Sequence, residues 1–125
     1  MAKTAIQKSV ERLYAQGKLA EAMQLLAEAL GKQESSGLWN DWGVVQIALA
    51  ERAFRRALEL EPANDATAAN LAVLLYSEGR SAEAIPLLQQ ALAHAQGVPH
   101  THIAAILAQC QSAVSPVSVP TAAPG

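Results

Sequence analysis

Apolar and polar positions follow the period of a helix along most of this chain. Ala50, Phe54, Ala57 and Leu58 fall on one stripe, at the spacing of an amphipathic α-helix with one buried face. The stripe recurs 34 residues later as Ala84, Leu88, Ala91 and Leu92. Near the N-terminus the related phrase is Ala22, Leu26, Ala29 and Leu30. The segments before two of these phrases also match. Leu13, Tyr14, Gly17, Glu21 and Ala22 correspond to Leu75, Tyr76, Gly79, Glu83 and Ala84. Each such segment predicts a helix, a turn at the glycine and a second helix.

The turn chemistry agrees. Gly17 and Gly79 stand where a helix stops and the chain reverses, a place that favours a left-handed residue. Ser81 is a candidate N-cap for the helix that follows Gly79. Pro62, Asn64 and Asp65 break the chain after Leu60, and Asp65 is a candidate cap for the next helix. Pro99 suits a first helical position. It opens a last helix from about His100 to Ala113, with Ile103, Ile106, Leu107 and Cys110 as its inner stripe.

A helix pair every 34 residues, with a turn glycine and a closing proline, resembles the tetratricopeptide repeat family. Trp39, Gly43, Phe54, Ala57 and Pro62 carry the resemblance in the middle unit. Leu71, Ala72, Gly79, Ala84 and Ala91 carry it in the third, and Gly17, Ala22 and Ala29 in the first. Glu34 and Gln96 depart from it, standing where the family often has proline. The resemblance implies an all-α, TPR-like solenoid of helical hairpins over residues 1–113. Repeat one would span about 3–34, a shortened repeat two 36–62, repeat three 65–97 and a capping helix 99–113. Residues 114–125 read as a disordered tail or a truncated linker.

The middle unit is short. Trp39, Trp42 and Gly43 align with Ala68, Leu71 and Ala72 at an offset of 29. From Ala50 onward the offset is 34, so five residues are absent at about Leu49–Ala50. They correspond to the turn Gly79, Arg80, Ser81, Ala82 and Glu83. Residues 38–60 hold no proline and keep helical phase. The expectation is a fused middle helix about 35 Å long. One straight helix cannot fold its two halves back on each other. Trp39, Phe54 and their surroundings would then face water, and such a patch favours association. A second copy solves this as a domain-swapped homodimer, with two long helices antiparallel about Leu49–Ala50. The interface and hinge residues would be Trp39, Trp42, Gln46, Leu49, Ala50, Ala53, Phe54 and Ala57. The alternative readings of the gap are an engineered deletion and a loop omitted from the sequence.

Composition narrows the function. Just over half of the 125 residues are apolar, yet aromatics are 4%. A core rich in alanine brings helices close, and alanine has the best helix propensity. The net charge of −2 does not point to nucleic acid or anionic lipid. Arg52, Arg55 and Arg56 form the only dense basic cluster, with Glu51 and Glu59 nearby, and read as a solvated face. Met1 to Arg12 has no apolar core of a signal peptide. No apolar run is long enough to span a bilayer, so a cytoplasmic location is expected. The single cysteine, Cys110, excludes an intrachain disulfide.

Catalytic chemistry is not apparent. His94, His100 and His102 have no Cys, Asp or Glu beside them to complete a metal site. No phosphate loop, nucleophile elbow or carboxylate pair occurs. No cofactor and no enzyme activity are expected. By resemblance, a partner peptide would lie in a groove lined by the first helix of each pair. Here that lining would be Gln7, Lys8, Glu11, Tyr14, Asn40, Asp41, Val44, Asn70, Val73 and Tyr76. Gln7 and Glu11 stand where the family's carboxylate clamp needs lysine and asparagine, which argues against a chaperone-tail ligand. The expected function is a protein-interaction scaffold that binds itself and an unidentified protein or peptide. The alternatives are a non-catalytic N-terminal domain of a larger bacterial transferase, or an engineered loop-deletion variant with no natural partner.

Overall fold

The computed structural model describes residues 3–94 and 97–114. Among them are six α-helices and no strand: α1 (Ala5–Ala15), α2 (Leu19–Lys32), α3 (Ser36–Leu60), α4 (Asp65–Ser77), α5 (Ser81–Leu92) and α6 (Val98–Val114). The chain divides into two compact units, residues 1–52 and 53–125, so α3 contributes to both.

In the first unit, α1 begins at a capping box. The Thr4 hydroxyl accepts from the Gln7 backbone N–H, and the Gln7 side chain accepts from the Thr4 backbone N–H. The α1–α2 turn is a Schellman motif. Gly17 has φ +75°, Lys18 N donates to Leu13 O at 2.9 Å, and Gly17 N donates to Tyr14 O at 2.9 Å. The Arg52 guanidinium donates to the Gly17 carbonyl at 2.9 Å, tying α3 to this turn. Ser35 starts α3, its hydroxyl accepting from Leu38 N at 3.1 Å. Val10, Leu19, Ala22, Leu26, Ala29, Leu38 and Val45 form the core, with Trp42 and Leu49 packed at its edge. Leu38, Trp42, Val45 and Leu49 step by four, three and four residues, so one face of α3 supplies them all.

The second unit repeats the turn at the matching place. Gly79 has φ +75°, Arg80 N donates to Leu75 O at 2.8 Å, and Gly79 N donates to Tyr76 O at 3.0 Å. The likeness of residues 13–17 to 75–79 is therefore a likeness of hydrogen bonding as well as of letters. Two capping expectations need correction. Asn64, not Asp65, caps α4, its Oδ1 accepting from Thr67 N at 3.0 Å. Ser81 is the first residue of α5 and is buried, and the residue at the cap, Arg80, makes no side-chain capping bond. Arg80 instead pairs with Glu83 at 2.6 Å, one turn ahead. An asparagine amide can supply an N-cap acceptor as readily as a carboxylate, so sequence alone did not separate neighbours.

Leu71, Leu75, Leu88, Ile103 and Cys110 are essentially inaccessible in the second unit, with Ala68, Ala69, Ala72, Ala84 and Ala91 between them. Phe54 and Leu58 from α3 pack at the edge of this cluster. Ile103, Ile106 and Cys110 are buried and Leu107 half-buried, so the apolar stripe of α6 faces inward. That helix runs from Val98 to Val114, against the expected 99–113. The tail expected from residue 115 onward lies outside the described residues, as does Gln96.

Candidate functional site

The aligned repeat positions differ in burial between the units. In the third repeat Ala68, Leu71, Ala72, Ala84, Leu88 and Ala91 are all at most 4% exposed. Their counterparts in the middle repeat are not buried in this way. Trp39 is 50% exposed, and Trp42, Gly43, Ala50, Phe54 and Ala57 are only half-buried. In the first unit Trp39, Gly43, Gln46 and Ala50 form one face of α3, beside the face that enters the core. Trp39 and Trp42 meet edge to face with ring centroids 6.5 Å apart, and the Trp39 indole N–H donates to Glu34 at 3.2 Å. In the second unit the corresponding face carries Ala53, Ala57 and Leu60, and Leu60 is 67% exposed. Of the expected interface residues, Trp42, Leu49 and Phe54 also touch the core of their own unit.

The expected groove residues fall in both units, Gln7 to Val44 in the first and Asn70, Val73 and Tyr76 in the second. Glu11, Tyr14, Asp41 and Val44 line a single cleft of about 270 Å³ within the first unit, with Val10 and Val45 beside them. Tyr76 lines a separate hollow in the second unit with Ala108, Gln109, Ser112 and Ala113 of α6. Asn70 and Val73 are exposed on α4, Lys8 on α1 and Asn40 on α3. Gln7 is the exception. Its side chain closes the capping box and lies so near Gly37 that a Cβ there would stand 2.5 Å from its Nε2. It is a structural residue joining α1 to the start of α3. Val10 and Val45 join the lining without a distinct mark in the sequence, because buried valines give the same periodic signal whether they form core or cleft wall.

Arg56 pairs with Glu59 at 2.7 Å and Arg55 with Glu83 at 3.6 Å, so the basic cluster is spread over different partners. His94, His100 and His102 are exposed. Among the described residues no group of three or more His, Cys, Asp or Glu is placed to hold a metal ion. No helix among them is long and apolar enough to cross a membrane.

Cys110 is buried, and burial pushes its thiol above the ordinary value against a smaller opposing effect of a hydrogen bond with Ser81. Because the thiolate is the reactive form, a disulfide-exchange reagent at pH 7.5 is expected to label native chain at least about 100-fold more slowly than urea-unfolded chain. Equal rates would show that the α6 face opens freely.

Helix pairs joined by matching glycine turns, packed through small and large residues at fixed register, define an all-helical repeat protein. A model of the tetratricopeptide repeat family matches residues 46–111. The chain belongs to this family, whose repeats are typically non-catalytic and mediate protein–protein interaction. The match opens at Gln46, inside α3. No curated protein matches the chain.

Proposed function

We propose that the chain is a non-catalytic protein-interaction scaffold that self-associates as a domain-swapped homodimer. One observation carries this reading: the framework positions of the middle repeat are exposed or half-buried where those of the third repeat are closed. Without the five-residue turn, the first half of α3 lacks its own second helix, and the second half lacks its first. Each unit therefore presents the surface that the other unit of a second copy completes. Two-fold symmetry requires this kind of self-complementarity.

The spacing along α3 fits an antiparallel pairing. Trp39, Gly43, Gln46, Ala50, Ala53, Ala57 and Leu60 alternate steps of four and three residues. A seven-residue repeat of this kind forms the seam of a left-handed helix pair. About a centre at Leu49–Ala50, Trp39 would oppose Leu60, Gly43 would oppose Ala57, and Gln46 would oppose Ala53. Ala50 would meet its own copy. Small residues in the middle allow close approach, and the bulky ones close the ends. The swap follows from the same hairpin contacts that build an ordinary repeat, made between chains rather than within one.

Sedimentation equilibrium tests the reading directly. The expected species in the micromolar range has twice the 13.1 kDa chain mass. A monomer throughout that range would overturn it.

A further inference from the structure

We propose that the cleft of the first unit binds a lysine or arginine side chain presented by a partner peptide. This rests on the protein-binding reading but not on the dimer, since every lining residue belongs to the first unit. The apolar lining is Val10, Val44 and Val45, and the polar lining is Glu11, Asp41 and Tyr14. A space of about 270 Å³ suits one long side chain rather than a cofactor. An apolar wall suits the methylene stem of lysine or arginine, while carboxylates receive the charged head. Tyr14, exposed at the cleft, adds an aromatic ring of the kind that attracts cations. Both carboxylates carry the same sign, so an acidic peptide would be repelled and a neutral one would gain nothing from them.

The chain itself shows the preference. The Lys3 ammonium, on the exposed segment before α1, donates to the Glu11 carboxylate. That hydrogen bond raises the Lys3 pKa, with further support from the charges of Glu11 and Asp41. Thus Glu11 and Asp41 act together on one amine. Lys3 and Glu11 are both exposed, so an incoming cation competes with a weak surface pair. The cleft takes Asp41, Val44 and Val45 from α3 and none of the seam from Trp39 to Leu60.

The test is fluorescence anisotropy with the full chain and a short labelled peptide bearing one lysine between leucines. The same peptide with glutamate at the centre serves as comparison. The lysine peptide is expected to bind, and the glutamate peptide to bind at least about tenfold more weakly. The double variant Glu11→Gln, Asp41→Asn is expected to lose about tenfold in affinity for the lysine peptide, the scale of one charge-assisted contact. A second double variant, Glu21→Gln, Glu28→Gln, removes the same charge from exposed positions of α2 and is expected to retain affinity. Circular dichroism confirms that both variants are helical. No binding of the lysine peptide, equal binding of both peptides, or equal losses in both variants would overturn the proposal. A sedimentation result of monomer would leave this titration standing, and a failed titration would leave the dimer standing.

Discussion

Five residues inserted between Leu49 and Ala50, copying Gly79 to Glu83, are expected to convert the proposed swapped dimer to a monomer. The insertion restores a turn that lets the second half of α3 fold back on the first. Closing so short a loop costs little. A tethered segment meets its partner at an effective concentration of about a millimolar or more. A second chain at micromolar concentration offers roughly 1,000-fold less, a difference of about 4 kcal/mol in favour of the internal contact. The same residues would be buried in either form, so helicity per residue should hardly change while sedimenting mass halves. An inserted chain that remains dimeric would show that association uses another surface. The insertion separates a swap from ordinary face-to-face docking, because only the swap depends on the length of the connection.

Truncating Leu88 to alanine is expected to cost about 3 kcal/mol, within the usual range of 2–5 for an inaccessible leucine. Leu88 is wholly buried in α5 among Leu71, Leu75 and Ile103 of neighbouring helices. Several of its neighbours are alanines with no side-chain length to move into the space, so the cavity should relax poorly. The loss is a large fraction of the 5–15 kcal/mol typical of a domain. Urea unfolding followed by circular dichroism would show the midpoint falling by about 1 M or more. Val73→Ala on the exposed face of α4 is the control and should change stability by less than about 0.5 kcal/mol. Equal effects at Leu88 and Val73 would mean that the second unit lacks a tightly packed core.

Some features were legible because local rules govern them. The helix pairs, their turn glycines and the inward stripe of α6 were all readable from spacing. The matched Schellman bonds at Gly17 and Gly79 explain why a five-letter likeness carried so much information. The caps at Asn64 and Arg80 were misplaced by one residue each: Asn64 and Asp65 offer equivalent acceptors, while Arg80 holds the cap position with no side-chain acceptor at all. The groove was legible only as a set of helix faces. Which of its residues line the cleft around Glu11 and Asp41 in the first unit, and which the hollow around Tyr76 in the second, depends on the neighbouring helices within each unit. Gln7 passed as a groove residue because its side chain's engagement with Thr4 and Gly37 is invisible to a periodic pattern.

The sequence by itself determined that this protein is helical, that its units repeat at 34 residues and that one unit lacks a turn. Those are properties of spacing along one dimension, where a buried stripe and a left-handed glycine leave distinct marks. Only the tertiary structure decided which aligned positions are closed and which stand open. Trp39 and Ala68 occupy the same place in the pattern, yet Trp39 is half exposed and Ala68 is buried. Burial depends on the presence of an opposing helix, and a periodic pattern records the demand for one without recording whether the chain supplies it.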